Sequence, residues 1–157
     1  MSERSVHHSN FVIERRYDAS PSRVFAAWGD PEAKSRWFRG PEEWLTVEHR
    51  LDFRVGGREL NRVGPPEGPL HTFDARYHDV VPDRHIVYSY DMYVDERRIS
   101  VSLATIELFP DGSGTRLVFT EQDAFLADGE APGQRERGTR ELLDALAAEL
   151  ERMTSAA

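Results

Sequence analysis

Residues 11–28 read FVIERRYDASPSRVFAAW, and they show how the fold begins. Phe11, Ile13 and Tyr17 fall on one face of an extended chain, in a segment rich in aromatic and β-branched residues. A two-residue period of this kind is typical of a β-strand with one buried side. The pattern therefore predicts a strand over residues 10–18.

Two short helices are predicted directly after this strand. Ser20 is a preferred N-cap residue and Pro21 suits the first helical position, so residues 21–28 are predicted to be helical. Asp30-Pro31 repeats the same pair of residue types at the start of a second helix. Apolar residues at helical spacing give each of these helices one buried side.

The middle of the chain has the pattern of successive strands. Apolar and polar residues alternate from Trp44 to Val55, and Gly56-Gly57 is predicted to bend or turn this ribbon, because glycine adopts positive φ without penalty. A loop rich in proline and glycine is predicted over residues 62–69. The short turns between the later strands indicate antiparallel hairpins. These later strands are predicted over residues 71–81, 84–94, 97–109 and 115–122.

The last part of the chain has leucines at helical spacing and predicts one long amphipathic helix over residues 132–153. The order is therefore β, α, α, six β, α, which is an α+β fold with a curved antiparallel sheet of about six to seven strands. The helix has to bury its leucine stripe against the concave face of the sheet. An arrangement of this kind tends to leave a cavity.

The composition excludes several classes of function. The chain has 157 residues, a formal net charge of −8 and no cysteine, so we expect one domain without disulfides or thiolate chemistry. The negative charge disfavours nucleic acid as a partner. The sequence contains no run of about 18 apolar residues, so no membrane span is predicted. We therefore expect a cytoplasmic protein. The only lysine, Lys34, lies in a polar stretch and is predicted to lie on a helix surface.

Several short motifs occur in an order that resembles a known family. They are Arg15-x-Tyr17-Asp18-Ala19-Ser20-Pro21, Val24-Phe25-x-Ala27-Trp28, Asp30-Pro31-Glu32, Gly40-Pro41, Asp52-x-Arg54-x-Gly56-Gly57 and Val80-Val81-Pro82-Asp83-Arg84. Together they resemble the START-like (SRPBCC) superfamily, and within it the branch similar to the activator of the heat-shock protein 90 ATPase. The resemblance covers about residues 10–153 and implies a helix-grip fold, with the sheet wrapped around the C-terminal helix. Flexible tails are predicted over residues 1–9 and 154–157.

The resemblance implies a broad range of functions. Members bind apolar or aromatic small molecules, a few are cyclases or hydrolases, and some are chaperone cofactors. Members usually carry a Gly-Trp pair where the last helix begins, whereas this chain has Gly138-Thr139. We expect Thr139 to change the shape or polarity of the cavity mouth.

Arg15 and Glu121 are predicted to face the core side of two strands that the fold places next to each other. A buried charge without a partner costs several kcal/mol, so Glu121 is the natural partner of Arg15. Two interpretations stay open. The pair is either a structural ion pair, or it lines the cavity and orients a ligand carboxylate or carbonyl.

His49 lies on the apolar side of its strand and is interpreted either as a hydrogen-bonded core residue or as a polar anchor in the pocket. His71 and His78 are seven positions apart on one strand and therefore lie on opposite faces. No motif with metal-ligand spacing occurs, and we expect neither a metal nor a cofactor.

Aromatic and other large side chains are the remaining candidates for the cavity wall, with ordinary core packing as the alternative for about half of them. Phe125 and Leu126, placed in the loop before the last helix, are predicted to form an apolar gate. Besides Arg15, His49 and Glu121, the candidate ligand-binding residues are Trp37, Trp44, Phe73, Tyr77, Tyr88, Tyr90, Met92, Phe125 and Thr139.

These features predict a protein that binds a small apolar or aromatic ligand between the sheet and the last helix, with no catalytic residue identified. One alternative is an enzyme of cyclase, dehydratase or hydrolase type that acts on an aromatic or polyketide-like substrate, in which a pocket histidine or carboxylate moves a proton. Another, which rests on the resemblance alone, is a module that contacts a chaperone ATPase. A homodimer stays open, because nothing in the sequence selects a surface for it.

Overall fold

The computed structural model describes residues 5–126 and 133–155, and over these ranges the chain forms seven strands and three helices. This is the predicted α+β helix-grip fold, and the predicted order of elements is confirmed. The elements are β1 (Val6–Tyr17), α1 (Pro21–Gly29), α2 (Pro31–Trp37), β2 (Leu45–Leu51), β3 (Arg58–Gly64), β4 (His71–Val81), β5 (His85–Val94), β6 (Arg97–Asp111), β7 (Gly114–Leu126) and α3 (Gln134–Ser155).

All seven strands belong to one antiparallel sheet in the order β1-β7-β6-β5-β4-β3-β2. The first and last strands are therefore neighbours, as predicted, and Val6 at the start of β1 pairs with Leu126 at the end of β7. Strands β2 to β7 follow one another as hairpins, which is the arrangement that their short turns predict. The edges of the sheet are β1 and β2.

The predicted caps start both short helices. The Ser20 side chain accepts a hydrogen bond from the main-chain N–H of Arg23, and the Asp30 carboxylate accepts one from Ala33. Each bond satisfies a donor that the first helical turn leaves without a partner. Trp37 on α2 then donates its indole N–H to the main-chain oxygen of Ala27 at 2.9 Å, which joins the two helices.

Helix α3 packs against the sheet through a stripe of leucines and one hydrogen bond. Its buried leucines Leu143, Leu146 and Leu150 belong to the hydrophobic core. The Tyr17 hydroxyl of β1 donates to the main-chain oxygen of Leu143 at 2.9 Å, and burial raises the pKa of that phenol above its ordinary value. No helix in the described ranges is both long and apolar enough to cross a membrane.

The predicted boundaries of the domain are wrong at both ends. Residues 6–9 lie in β1 and pair with residues 123–126 of β7, so they are part of the sheet rather than of a flexible tail. Helix α3 extends to Ser155 instead of ending at residue 153. Residues 1–4, 156 and 157 lie outside the described residues.

The first strand after the helices also differs from its prediction. We predicted alternation from Trp44 to Val55, but β2 ends at Leu51, and its Leu45 and Val47 are 56% and 66% exposed. The reason is that β2 is an edge strand with an irregular register between Thr46 and Glu48, so its apolar residues do not all face the core.

The Gly56-Gly57 turn between β2 and β3 is where it was predicted. Gly56 has φ of +83°, and a Cβ on Gly57 would lie 2.0 Å from the main-chain oxygen of Asp52. Strand β3 then runs to Gly64, so the predicted loop over residues 62–69 begins at residue 65, three residues later than expected.

Candidate ligand-binding cavity

A cavity of about 690 Å³ lies between the inner face of the sheet, helix α2 and helix α3. This volume is within the range of roughly 300–1,000 Å³ that is usual for small-molecule sites. Its inner wall is mainly aromatic and comes from both helices and strands. We call the exposed part of its lining the cavity mouth, which consists of Gly40, Pro41, Arg97, Gln134, Arg137, Gly138 and Glu141.

The structure brings most of the predicted site residues to this cavity. Four others are not part of its lining: Arg15, His49, Tyr77 and Phe125. The predicted residues that do line the cavity are Trp37, Trp44, Phe73, Tyr88, Tyr90, Met92, Glu121 and Thr139.

Arg15 does not pair with Glu121, so the predicted ion pair is wrong. Both side chains lie on the inner side of adjacent strands, but Arg15 pairs in register with Leu117, four residues from Glu121. At about 3.3 Å per residue this is roughly 13 Å along the strand. Arg15 instead reaches Asp144 on α3, with 3.4 Å between its Nη2 atom and Oδ1 of Asp144.

Phe125 lies in β7 rather than in a loop, where it pairs with His7 of β1. The predicted apolar gate of Phe125 and Leu126 is therefore wrong, because both residues are held in the sheet. The guanidinium of Arg135 lies 5.2 Å from the Phe125 ring centre. The remainder of the connection to α3, residues 127–132, lies outside the described residues.

Glu121 belongs to a buried polar cluster that borders the cavity. Its Oε2 atom accepts a hydrogen bond from the Tyr90 hydroxyl at 2.9 Å and lies 3.7 Å from Nη1 of Arg135. Asp123, two positions further along β7, also lies 3.7 Å from Arg135, and Arg135 donates to Ser100 at 2.8 Å. One arginine thus stands between two buried carboxyl groups.

Burial raises the pKa of Glu121 well above its ordinary value, and the neighbouring Asp123 raises it further. Arg135 and the Tyr90 hydroxyl act in the opposite direction but do not outweigh these two causes. Burial and the charge of Glu121 likewise raise the pKa of Tyr90, which stays a neutral phenol. Burial therefore favours the protonated form of Glu121 more than solvent does for an exposed glutamate.

We expect Glu121→Gln to raise the free energy of unfolding at pH 7 and above, because burial raises the pKa of Glu121 and makes its ionised form unfavourable in the folded state. The raised pKa means that ionisation of Glu121 opposes folding as pH rises from its ordinary value of 4.5. Glutamine keeps the shape and cannot ionise. The gain should therefore vanish on acidification below that value, as measured by urea unfolding at a series of pH values.

The control for this variant is Glu14→Gln, which removes a carboxylate from the exposed face of β1. It should change stability by less than about 0.5 kcal/mol at every pH. Equal pH profiles for the Glu121 variant and the wild type would contradict the raised pKa of Glu121.

A second buried cluster lies behind the cavity wall and contains Lys34, which was predicted to lie on a helix surface. That prediction is wrong: the Lys34 side chain is 0% exposed, and its Nζ atom lies 2.6 Å from Oε1 of Glu59, also 0% exposed. The Tyr77 hydroxyl donates to the same Glu59 oxygen at 2.7 Å. His49 Nε2 lies 2.9 Å from the other oxygen of Glu59. His49 and Tyr77 are thus partners of Glu59 rather than part of the cavity lining.

Aromatic rings surround the Lys34 ammonium group. The nearest ring is that of Phe38, whose centre lies 4.4 Å from Nζ, and Trp28, Phe73 and Tyr88 lie within 6.0 Å. These four aromatic residues also line the cavity. Burial lowers the pKa of Lys34, whereas for Glu59 the charge of Lys34 and the hydrogen bonds of its partners outweigh burial and lower the pKa.

Sequence reasoning missed both Lys34 and Glu59 as structural centres, although one signal was present. All the remaining residues among the 20 Lys and Arg are arginine. The single lysine therefore marks a position at which the chain has the smaller ammonium group instead of a guanidinium group. Glu59 gave no such signal, because it lies between a glycine turn and an ordinary strand pattern.

Two buried donors of the cavity lining have no acceptor within residues 5–126 and 133–155. They are the indole Nε1 of Trp28, a residue that is only 1% exposed, and Nε of Arg39. Nearly all buried polar groups in proteins are hydrogen-bonded, so each such exception requires an explanation. A ligand with acceptor groups would supply the missing partners.

Near the cavity mouth, the ring of Trp44 stacks on that of His71, with 4.6 Å between the ring centres and 25° between the planes. The main chain at Trp44 is positioned by Arg39, whose Nη2 atom donates to the main-chain oxygens of Glu42 and Trp44. His71 stacks on Trp44, whereas the His78 ring forms a hydrogen bond with the Ser89 hydroxyl at 2.7 Å. Among the described residues, no group of three or more His, Asp or Glu side chains could hold a metal ion.

The fold and the cavity together define a helix-grip protein with an internal ligand-sized space. The family model described as "Activator of Hsp90 ATPase homolog 1-like protein" matches residues 18–151, and the chain belongs to this family. No curated protein matches the chain.

Several solved structures are similar over nearly the whole chain. An uncharacterised protein from Rhizobium leguminosarum is 46% identical, with a TM-score of 0.90, and the match covers 96% of this chain and 99% of that one. The Mll3558 protein from Rhizobium loti is 47% identical, with a TM-score of 0.85 and coverage of 93% and 99%. Protein CV1439 from Chromobacterium violaceum is 29% identical, with a TM-score of 0.75 and coverage of 90% and 96%.

Proposed function

We propose that this protein binds a small apolar or aromatic molecule in the cavity between the sheet and α3. The observation that carries the proposal is the cavity of about 690 Å³ with a mainly aromatic wall. Aromatic rings offer large apolar contact areas and favourable edge and face contacts to a ligand ring. Membership of a family with the START-like fold is consistent with such a role.

The buried donors of the wall make this proposal more specific. Trp28 Nε1 and Arg39 Nε have no acceptor in the described part of the chain. A few polar groups in an otherwise apolar wall usually fix the orientation of a ligand. We therefore expect the bound molecule to carry a carbonyl, hydroxyl or other acceptor that reaches Trp28.

The enzyme alternative now depends on a different residue. His49, the histidine that the sequence offered as a pocket residue, is hydrogen-bonded to Glu59 and is not part of the cavity lining. Glu121 lines the cavity and has a raised pKa, which is the property of a carboxylic acid that donates a proton near neutral pH. Once a ligand has been identified, it can be tested as a substrate, and this would test the enzyme alternative.

Binding can be tested by native mass spectrometry of freshly purified protein, followed by a thermal-shift screen of fatty acids, flavonoids and aromatic polyketide-like compounds. A ligand present at a hundred times its Kd stabilises the folded state by about 2.7 kcal/mol, which for a chain of this size corresponds to about 5–10 °C in Tm. We expect at least one compound class to give such a shift, or a molecule to co-purify with the protein.

The absence of both a co-purifying molecule and any thermal shift would contradict the proposal. A role in contact with another protein would then be favoured. The chaperone ATPase in the description of the family model would be the first such partner to test, by measuring whether this chain changes its rate of ATP hydrolysis.

A further inference from the structure

Positive charge predominates around the cavity. Four arginines but only two glutamates line it, although the whole chain has a formal net charge of −8. The local sign is therefore opposite to that of the protein as a whole. The arginines of the lining are Arg39, Arg97, Arg135 and Arg137, and the glutamates are Glu121 and Glu141.

Arg135 already has several polar partners in the buried cluster. Its Nη1 atom lies 3.7 Å from oxygens of both Glu121 and Asp123, and the same atom donates to the Tyr90 hydroxyl at 2.8 Å. Arg135 therefore serves the buried polar cluster and is not a free anchor for a ligand. The positive charge that remains around the cavity belongs to the other three arginines.

Arg97 and Arg137 lie at the cavity mouth, and their side chains make no hydrogen bond or ion pair with any described residue. Their neighbours in sequence behave differently. Arg98 pairs with Asp91 at 3.5 Å, and Arg140, three positions after Arg137, pairs with Glu136 at 2.7 Å. Acidic partners are thus available on the same elements. Among the described arginines of β6 and α3, those without such a partner are Arg97 and Arg137, and both line the cavity.

Arg39 stands next to the mouth with its charge held in place but not neutralised. Its Nη2 atom donates to the main-chain oxygens of Glu42 and Trp44, which fix the guanidinium group without offering a carboxylate. Its Nε atom is buried and has no acceptor among the described residues. A fixed guanidinium group with an unused donor is well suited to a planar anion, because it loses little freedom when it binds.

We propose that the ligand is an organic anion whose apolar ring body occupies the cavity and whose single carboxylate or sulfonate group lies at the mouth, against Arg39, Arg97 and Arg137. This inference rests on the proposed function, since it presupposes that the cavity binds a small molecule. It adds a chemical class, because a neutral compound of the same shape would leave the positive charge of three arginines opposed only by Glu141. Charge of one sign around a cleft also raises the local concentration of ligands of the opposite sign.

Two fluorescent probes with the same ring body test the proposal. Anilinonaphthalene sulfonate carries one negative charge, and phenylnaphthylamine lacks the sulfonate. We expect the wild-type protein to bind the sulfonate about fivefold to tenfold more tightly, in keeping with two or three partly exposed charge pairs. The preference should shrink in the double variant Arg97→Gln, Arg137→Gln and in about 1 M salt, where the Debye length is about 3 Å.

The matched control is the double variant Arg98→Gln, Arg140→Gln. It changes the net charge by the same amount at nearby positions that do not line the cavity, so it should keep the preference. Equal loss of preference in both double variants would overturn the proposal, because general charge would then explain the binding. Equal affinity of the wild type for both probes would also overturn it but leave the proposed function intact. Failure of both probes to bind would contradict the cavity function itself.

Discussion

Glu59→Gln is expected to lower the free energy of unfolding by about 3–5 kcal/mol, because it leaves the buried Lys34 ammonium group without a counter-charge. The two side chains are both 0% exposed and lie 2.6 Å apart, so water cannot replace the missing carboxylate. The aromatic rings around Lys34 interact favourably with a cation but do not balance its charge. Equilibrium unfolding in urea measures the change.

The sign of the pH dependence gives this prediction a second readout. The pKa of Glu59 is lowered below 4.5, so its contribution to stability is present above that value and is lost as pH falls through the lower folded-state value. The difference between wild type and Glu59→Gln should therefore narrow in acid. Glu121 behaves in the opposite way, since its raised pKa makes its ionisation unfavourable for the fold.

Two further variants identify the cause. The double variant Lys34→Met, Glu59→Gln removes both charges and should recover a large part of the loss, because no unpaired charge is then left in the core. Glu48→Gln on the neighbouring strand β2 breaks ion pairs with exposed partners and should cost less than about 1 kcal/mol. If Glu59→Gln were as stable as Glu48→Gln, the buried pair would not have the importance we assign to it.

Thr139→Trp is expected to weaken binding of any ligand in the cavity by more than about tenfold while the protein stays folded. Thr139 is buried, lines the cavity and lies on α3, so an indole ring at this position would occupy the space that a ligand needs. The threonine hydroxyl donates only to the main-chain oxygen of Arg135 one turn earlier, and the loss of this local bond is a small cost. Titration with a compound from the thermal-shift screen measures the effect.

The chain offers a closely matched control in Thr154→Trp. Thr154 lies on the same helix, and its hydroxyl makes the same kind of bond, to the main-chain oxygen of Leu150 at 3.0 Å. It is exposed and does not line the cavity, so this variant should bind as the wild type does. Unchanged binding by Thr139→Trp would place the ligand elsewhere on the protein.

The fold could be predicted from the sequence because its signals are local. Ser20-Pro21 and Asp30-Pro31 act through hydrogen bonds and φ angles within a few residues, and the structure has a helix after each. The hairpins from β4 to β7 likewise follow from short turns between alternating segments. The inner lining residues Tyr88 and Tyr90 were also found in this way, since strand alternation indicates which side chains face the core.

The partners of charged residues could not be predicted, because they depend on register and on the position of α3. Arg15 and Glu121 lie on adjacent strands as expected, yet a register difference of four residues separates them. Lys34 shares α2 with the polar residues Glu32, Ser35 and Arg36. Only the contacts of α2 with β3 and β4 decide that the Lys34 side chain points inward. Exposure of Leu45 and Val47 similarly depends on β2 being the last strand of the sheet.

The pairing of β1 with β7 also has a consequence for how the chain folds during synthesis. The partner of Val6 is Leu126, so β1 has no neighbour in the sheet until the residues of β7, more than 100 positions later, have been synthesised. Phe11 and Ile13 are buried in the folded protein, but during that interval they lack their partners in the sheet and can make apolar contacts with other chains. Contacts so distant in sequence also slow folding. Strand β1 therefore depends on protection while the polypeptide is being translated.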